Sequence, residues 1–253
     1  MHKTRNSVLI QVVLLLVFGF VASTTARAES LLISQESPYG GYGYGLYSWG
    51  GMTNALNSAF GASNITVDGS DLNSLSYMLG FDRLWVTARQ PYGQALSATE
   101  IANIEAYIGT GRRVVLIGEN GAWSSWNNSI LSTVGGYYSG YDTSDTLTPV
   151  VFDSLTAGVN SLNTIADGLA VGGTSLFNEN VATLWGTNQN TLSLLSVNVE
   201  DDYYGSGAGN VRFKTNMADW LAGSSVPEPA TITLLATGLA GVFSLRKRRK
   251  AVR

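Results

Sequence analysis

The sequence has no cysteine, and its single histidine, His2, lies at the very start of the chain. Without cysteine, no disulfide supports the fold and no thiol nucleophile is available. Without a histidine beyond residue 2, the chain lacks a Ser-His-Asp triad and the imidazole ligands common in zinc sites. These absences exclude most hydrolase chemistries, and we predict no metal site and no cofactor.

Basic residues are scarce in the central part of the chain. Residues 29–225 hold seventeen Asp and Glu against six Lys and Arg, a net charge near −11, because the other nine basic residues lie at the two ends. A domain of this sign does not neutralise phosphates, so nucleic acid is excluded as a partner. The carboxylates Asp142, Asp145 and 200–202 offer oxygen ligands, but they form no spaced calcium motif, which favours a solvated acidic surface.

The first 28 residues have the pattern of a secretory signal peptide. Lys3 and Arg5 precede an apolar run at 8–21, and Ala26-Arg27-Ala28 is a small-residue cleavage site. We expect residues 1–28 to form a signal helix that the export machinery recognises. Signal peptidase should then cut after Ala28. An uncleaved anchor is the alternative.

The last residues, 224–253, contain three parts in a fixed order. Val226-Pro227-Glu228-Pro229 is held extended by its two prolines, an apolar segment follows at 230–245, and a basic cluster occupies 246–253. As a helix the apolar segment spans roughly 24 Å, which is short of the ~30 Å hydrocarbon core, so it anchors weakly. The basic cluster marks the cytoplasmic side.

This order of parts resembles the PEP-CTERM sorting signal of Gram-negative bacteria. The resemblance implies an exosortase, an integral-membrane sorting protease, as a partner. It also implies export across the inner membrane, transient anchoring by the C-terminal helix, and release to the cell surface or extracellular matrix. The alternative is an ordinary C-terminal membrane anchor.

The region between the two ends alternates between strand and helix patterns. Strands are predicted at 31–34, 65–67, 83–87, 113–117, 149–152, 169–171, 181–185 and 192–199, and helices at 52–60, 98–108, 124–134 and 211–221. The helix after residue 97 begins with the capping box Ser97-Ala98-Thr99-Glu100. The alternation predicts an α/β domain over 29–223, with a mostly parallel sheet between two layers of helices.

Three stretches of this domain together resemble the class I glutamine-amidotransferase-like superfamily, which has a flavodoxin-like fold. They are 104–118, 155–159 and 210–221. In catalytic members a cysteine follows the fourth strand, whereas here that turn is Gly118-Glu119-Asn120-Gly121. The resemblance therefore implies the scaffold without the amidotransferase activity.

Candidate ligand-binding residues follow three of the predicted parallel strands, where open α/β sheets bind ligands. They are Tyr42, Tyr44, Tyr47 and Trp49 after the first strand, Arg89, Gln90 and Tyr92 after the third, and Glu119, Asn120, Trp123 and Trp126 after the fourth. Aromatic rings beside amides and carboxylates suit a sugar. The alternative is that the tryptophans fill the core and the tyrosine loops are surface.

Three functions fit this sequence. The first is a non-enzymatic surface domain associated with extracellular polysaccharide. The second is a glycan hydrolase that uses a carboxylate pair, for which Glu119 and Glu200 are the candidates. The third is a passive structural surface protein. A convergence of the aromatic side chains on one exposed face favours binding, and burial of the tryptophans favours the passive role.

Overall fold

The computed structural model describes residues 29–36, 38, 41–89, 94–143 and 146–223. The predicted signal peptide and sorting tail, with their two apolar segments, lie outside the described residues. The division of the chain into signal, domain and tail therefore stays a prediction.

A mixed sheet of seven strands organises the described residues, in the order β2-β1-β3-β4-β11-β10-β9. Its strands are β1 (Leu31–Ser34), β2 (Ile65–Asp68), β3 (Arg83–Val86), β4 (Val114–Ile117), β9 (Thr174–Ser175), β10 (Ala182–Trp185) and β11 (Thr191–Leu194). The first five strands in this spatial order are parallel, while β10 and β9 continue the sheet as antiparallel partners. The predicted α/β fold with a mostly parallel sheet is confirmed.

Helices and two small ribbons complete the fold. The helices are α1 (Gly50–Phe60), α2 (Leu75–Met78), α3 (Ala98–Gly109), α4 (Ser124–Ser132) and α5 (Ala208–Ala222). The ribbons pair β5 (Tyr137–Asp142) with β8 (Asp167–Val171) and β6 (Thr146–Leu147) with β7 (Leu162–Asn163). Every residue of β1, β3, β4, β10 and β11 is buried, and because side chains alternate between the two faces of a sheet, both faces are covered.

The sequence signals for α3 and β4 are present in the structure. The Ser97 hydroxyl accepts a hydrogen bond from the Glu100 N–H, and the Glu100 carboxylate accepts one from the Ser97 N–H, so the predicted capping box is formed. After the helix, Gly111 adopts a φ of 82°, which a residue with a side chain rarely adopts. β4 then lies between β3 and β11, in the central position that its continuous apolar run predicts.

The order of the strands creates a topological switch point. The chain runs from β1 outward to β2 and returns to β3 on the other side of β1. Loops that leave the carboxyl ends of β1 and β3 therefore diverge and leave a crevice, which is where sheets of this kind bind ligands. The loops that follow β4 and β11 lie along the same edge of the sheet.

In the second half, one predicted strand is absent and another is shorter than predicted. At 149–152 only Pro149 forms an isolated bridge, with Phe177, and Phe152 is 87% exposed instead of entering a sheet. The strand predicted over 192–199 ends at Leu194, and Val197–Val199 is a 3-10 turn. Beyond the end of the strand, the Val197 N–H donates to the Glu119 carboxylate and not to a neighbouring strand. The ribbon strand β5 was not predicted.

Candidate functional site

A loop rich in glycine and tyrosine follows β1 and is fixed by its own side chains. The Gln35 amide bonds both backbone groups of Tyr44: Oε1 accepts from its N–H at 2.6 Å, and Nε2 donates to its carbonyl at 3.3 Å. The Tyr44 hydroxyl donates to Asn57 Oδ1 on α1 at 2.5 Å. Tyr44 therefore connects the loop to α1 through hydrogen bonds.

Tyr47 leaves this loop toward solvent and is 85% exposed. Its ring lies over Gly41, where an added Cβ would come within 2.5 Å of the ring. Gly41 also has a φ of 87°. Glycine at position 41 therefore allows both the turn and the close approach of the tyrosine ring.

The loop after β11 is held by two neighbouring carboxylates. Oδ1 of Asp201 accepts hydrogen bonds from the N–H groups of Tyr203, Tyr204 and Gly205 at 3.0, 2.6 and 2.9 Å. Asp202 Oδ1 accepts from the N–H of Gly51, in the first turn of α1, at 2.9 Å.

Lys214 of α5 adds a third connection to this loop. Its ammonium donates to the Asp201 carbonyl at 2.5 Å and lies 3.5 Å from Asp202 Oδ1. These carboxylates are thus used for backbone capping and an ion pair. Among the described residues, no group of three His, Cys, Asp or Glu side chains is placed to hold a metal ion.

Glu119 follows β4 and is only 3% exposed. Its Oε2 accepts from the Val197 N–H at 2.8 Å, and its Oε1 accepts from Asn120 Nδ2 at 2.9 Å. Burial raises the pKa of Glu119 to about 7; the hydrogen bonds from Val197 and Asn120 oppose that rise, and the nearby carboxylates Asp167 and Asp201 add to it.

Glu200 is fully buried, and neither of its carboxylate oxygens has a hydrogen-bond partner within the described part of the chain. Burial raises the pKa of Glu200 well above its usual value; Lys214 opposes the rise, and Glu119 and Asp201 increase it. Glu119 and Glu200 therefore lie close enough to interact. Both are enclosed, however, so no glycosidic bond can reach the space between them in this conformation.

Tyr42 and Tyr138 lie near Glu119 at the carboxyl edge of the sheet, and four further tyrosines lie near one of these two or near each other; we call all six the tyrosine cluster. They are Tyr42, Tyr47, Tyr138, Tyr141, Tyr203 and Tyr204. Partial burial and then the charges of Asp201 and Glu119 raise the pKa of Tyr42, with Tyr204 and Tyr47 also close by. Partial burial, Tyr141 and Glu119 raise the pKa of Tyr138.

The outer members of the tyrosine cluster are solvent-exposed. Tyr203 is 80% exposed and contacts Tyr204 edge-on, with the ring centroids 4.7 Å apart. Tyr141 is also exposed, and its ring lies 2.7 Å from where a Cβ on Gly121 would be. The loops after β1 and β11, together with β5, thus supply the six tyrosines, of which Tyr47, Tyr141 and Tyr203 are the most exposed.

The predicted tryptophans do not lie on this surface. Trp49, Trp123 and Trp126 are buried. The Trp126 indole donates to the Ile117 carbonyl, and Trp49 packs edge-on against Trp85 with centroids 5.8 Å apart. The expectation that their ring faces are open to a ligand is corrected: they complete the core between helix and sheet, where a large apolar ring is most stable.

Arg89 lies apart from the tyrosine cluster, buried at the end of β3. Its guanidinium forms ion pairs with Glu100 at 2.7 Å and Glu36 at 3.3 Å and lies over the Trp126 ring at 5.6 Å. It therefore ties β3 to α3 and α4. Gln90 and Tyr92 lie outside the described residues.

Of the predicted site residues, Tyr42, Tyr47, Glu119 and Asn120 come together at the carboxyl edge. Sequence reasoning missed Tyr138, Tyr141, Tyr203 and Tyr204. The available signal was the pair of adjacent tyrosines at 137–138 and again at 203–204, each in a stretch with glycine nearby.

Residues 225–249 match the model of the PEP-CTERM protein-sorting motif. The chain carries a PEP-CTERM sorting signal. The resemblance found in the tail is thereby confirmed, and the motif implies export, membrane anchoring through the tail and processing by an exosortase. Among the residues that the structure describes, no helix combines the length and apolarity needed to cross a membrane. The apolar segment 230–245 of the PEP-CTERM tail lies outside them.

The body of the chain is similar to several solved structures. The mmIFT52 N-terminal domain is 12% identical with a TM-score of 0.54, over 78% of this chain and 98% of that one. A putative GMP synthase component from Thermoplasma acidophilum is 9% identical with a TM-score of 0.48, over 77% and 94%. A putative ThuA-like protein from Bacteroides uniformis is 10% identical with a TM-score of 0.47, over 79% and 94%.

At these identities the first structure supports the α/β fold alone, and the other two, with TM-scores below 0.5, add no argument. The α/β fold that the glutamine-amidotransferase-like resemblance implies is confirmed, and membership of that superfamily stays a prediction. A comparison with curated proteins finds no match to the sequence.

Proposed function

We propose that the mature protein is a non-enzymatic domain, displayed at the cell surface or in the extracellular matrix of a Gram-negative bacterium, that binds extracellular polysaccharide. The observation that carries this proposal is the tyrosine cluster, of which Tyr42 and Tyr138 lie near Glu119 at the carboxyl edge of the sheet. The PEP-CTERM signal supports the location, because it implies export and sorting.

The chemistry of the tyrosine cluster suits a carbohydrate. An aromatic ring packs against the C–H face of a sugar, and a phenol hydroxyl both donates and accepts hydrogen bonds with sugar hydroxyls. Tyr47, Tyr203 and Tyr141 offer exposed rings at this surface. The Asn120 amide, beside Glu119, adds a further polar group at its base.

The absence of catalytic activity is part of the proposal. The mature chain has no cysteine or histidine to act as nucleophile or base. The pKa of about 7 at Glu119 is the one observation that favours a glycan hydrolase, since a general acid works best near such a value. Burial of both Glu119 and Glu200 weighs against it.

Binding of the full-length chain, purified in detergent, to intact extracellular polysaccharide of the host tests the proposal. We expect Tyr47→Ala and Tyr204→Ala each to weaken binding about tenfold, or ~1.4 kcal/mol, because each removes one stacking face. Tyr77→Ala is the matched control, since Tyr77 is 40% exposed on α2 and packs against Phe81, far along the chain from the tyrosine cluster.

Two results would favour one of the other two functions. Release of new reducing ends from the polysaccharide, lost in Glu119→Gln, would establish a hydrolase. Equal, negligible binding by the parent chain and all three tyrosine variants would leave the passive structural role.

A further inference from the structure

A groove runs between α1 and α5, and we call it the α1–α5 groove. The two helices pack together along their lengths. The cavity between them has a volume of about 440 Å³, within the roughly 300–1,000 Å³ typical of sites for small organic ligands. On α1 it is lined by Asn54 and Ser58, and on α5 by Val211, Thr215 and Asp219. Residues four apart lie on one face of a helix, so each helix presents a row along the groove.

Several polar side chains in this groove are available to bind a ligand. The side chains of Asn54, Ser58 and Asp219 make no hydrogen bond or ion pair within the part of the chain that the structure describes. An amide, a hydroxyl and a carboxylate supply both donors and acceptors. Ala55 and Val211 add small apolar surface between them. No aromatic or long apolar side chain lines the cavity, so its chemistry suits a hydroxylated ligand.

The α1–α5 groove begins where the tyrosine cluster ends. Asp202 and Ser206 line the groove, and the loop that carries them also carries Tyr203 and Tyr204. On the opposite wall, Gly51 lies two residues after the turn Tyr47–Trp49. A Cβ on Gly51 would come within 2.8 Å of Asp202 Oδ1, so the two walls approach each other closely at this end.

From this continuity we infer that the α1–α5 groove is an extension of the carbohydrate site, which receives further sugar units of a polysaccharide chain. The inference rests on the proposed function and goes beyond it, because it states that the ligand is bound along its length and not at a chain end. Sugars at the tyrosine cluster are held by stacking, and those in the groove by hydrogen bonds to Asn54, Ser58 and Asp219. Affinity must then increase with the length of the chain.

The test uses fragments of the host's own extracellular polysaccharide, cut by partial hydrolysis, and full-length protein in detergent. We expect an octasaccharide to bind at least about tenfold more tightly than a disaccharide. Ser58→Trp, which fills the groove, should abolish this gain while the disaccharide affinity stays the same. The double variant Asn54→Ala, Asp219→Asn should weaken octasaccharide binding roughly three- to tenfold, as expected for the loss of net hydrogen bonds.

Ala106→Trp is the matched control, because Ala106 is exposed on α3, on a helix that does not line the groove. If the disaccharide and the octasaccharide bind equally, or if Ser58→Trp behaves like Ala106→Trp, the extended site is wrong even though sugar binding by the tyrosine cluster stands. If Tyr47→Ala leaves the binding of both fragments unchanged, the proposed function fails, and the extension fails with it.

Discussion

Glu119 lies in the turn that follows β4, and its carboxylate has a structural role there. Its two oxygens accept from the Val197 N–H and the Asn120 amide, so one side chain joins the loops after β4 and β11. The same burial that favours these bonds raises the pKa of the carboxyl group to about 7. The loop after β11, which carries Tyr203 and Tyr204, is therefore held in part by a group that titrates near neutral pH.

The pH dependence of stability follows from this residue. The pKa of Glu119 is about 7 in the folded state, against an ordinary value of 4.5, so the folded state retains a proton that the unfolded state releases. Its stabilising contribution is complete below about pH 4.5 and is lost as the pH rises through about 7. Burial also raises the pKa of Asp167, to about 6, and of Glu200, which act in the same direction.

Glu119→Gln should flatten this profile. Glutamine still accepts from the Val197 N–H but does not ionise. From about pH 5 to pH 8 the unfolding free energy of the parent should decrease, and the decrease in Glu119→Gln should be smaller by about 3 kcal/mol. Urea unfolding at a series of pH values measures the effect. Glu105→Gln, at an exposed position on α3, is the control and should keep the parent profile. Parallel profiles for Glu119→Gln and the parent would contradict a neutral, buried Glu119.

At the level of single residues, the polar centre of the site was predictable but its aromatic surface was not. Glu119 and Asn120 could be predicted because they directly follow a continuous apolar strand, which fixes the edge of the sheet they reach. Trp123 and Trp126 follow in the same loop, yet the turn Gly121–Trp123 and α4 carry them into the core. Spacing along the chain does not distinguish a ring on the surface from one beneath it.

Among the elements, the first half of the domain was predictable because its signals are local. Alternating strand and helix patterns, a capping box and a glycine stop depend on neighbours within a few residues. The second half depends on distant partners: β5 pairs with β8, and the Val197 N–H bonds to Glu119. With the sequence YYSGYD and an irregularity in register between Tyr138 and Gly140, β5 lacks the apolar alternation that marks a strand.

The start of α5 gives a sharp test of element packing. Gly209 lies in its first turn, where an added Cβ would come within 1.8 Å of the Ser161 carbonyl oxygen. Gly209→Ala should therefore destabilise the protein by about 3 kcal/mol, because a backbone atom must move. Chemical denaturation measures the loss.

Gly109→Ala is the matched control for that substitution. A Cβ at Gly109, the last residue of α3, meets no atom within 4 Å, and we expect a change between zero and a gain of about 1 kcal/mol. If both alanine variants have the same stability as the parent, α5 does not pack on the 155–163 loop as closely as described.

The whole chain separates its charges by location. The acidic body, with seventeen acidic and six basic residues at 29–225, lies between two ends that hold nine basic residues. Basic residues next to apolar segments remain on the cytoplasmic side of a membrane, whereas the body between them carries no such cluster. Export of the body is consistent with this distribution, and the PEP-CTERM signal implies that the exported protein is then sorted.

The last prediction concerns the sorting step. Replacing Pro227, Glu228 and Pro229 with alanine should keep the apolar segment and the basic cluster, and therefore the anchor, but should prevent recognition by the exosortase. Deleting residues 246–253 should have a different effect: because sixteen apolar residues anchor weakly, the tail should lose its hold on the membrane.

Both effects are measured as the size and the membrane or released fraction of the protein, in cells with and without the exosortase. In the presence of the enzyme, the parent chain should be shorter and released. The alanine variant should stay full-length after signal cleavage and membrane-bound, as the parent does in cells without the enzyme. Identical size and fraction for the parent and the alanine variant in both strains would mean that the tail acts only as an anchor and that the Pro227-Glu228-Pro229 motif is not recognised.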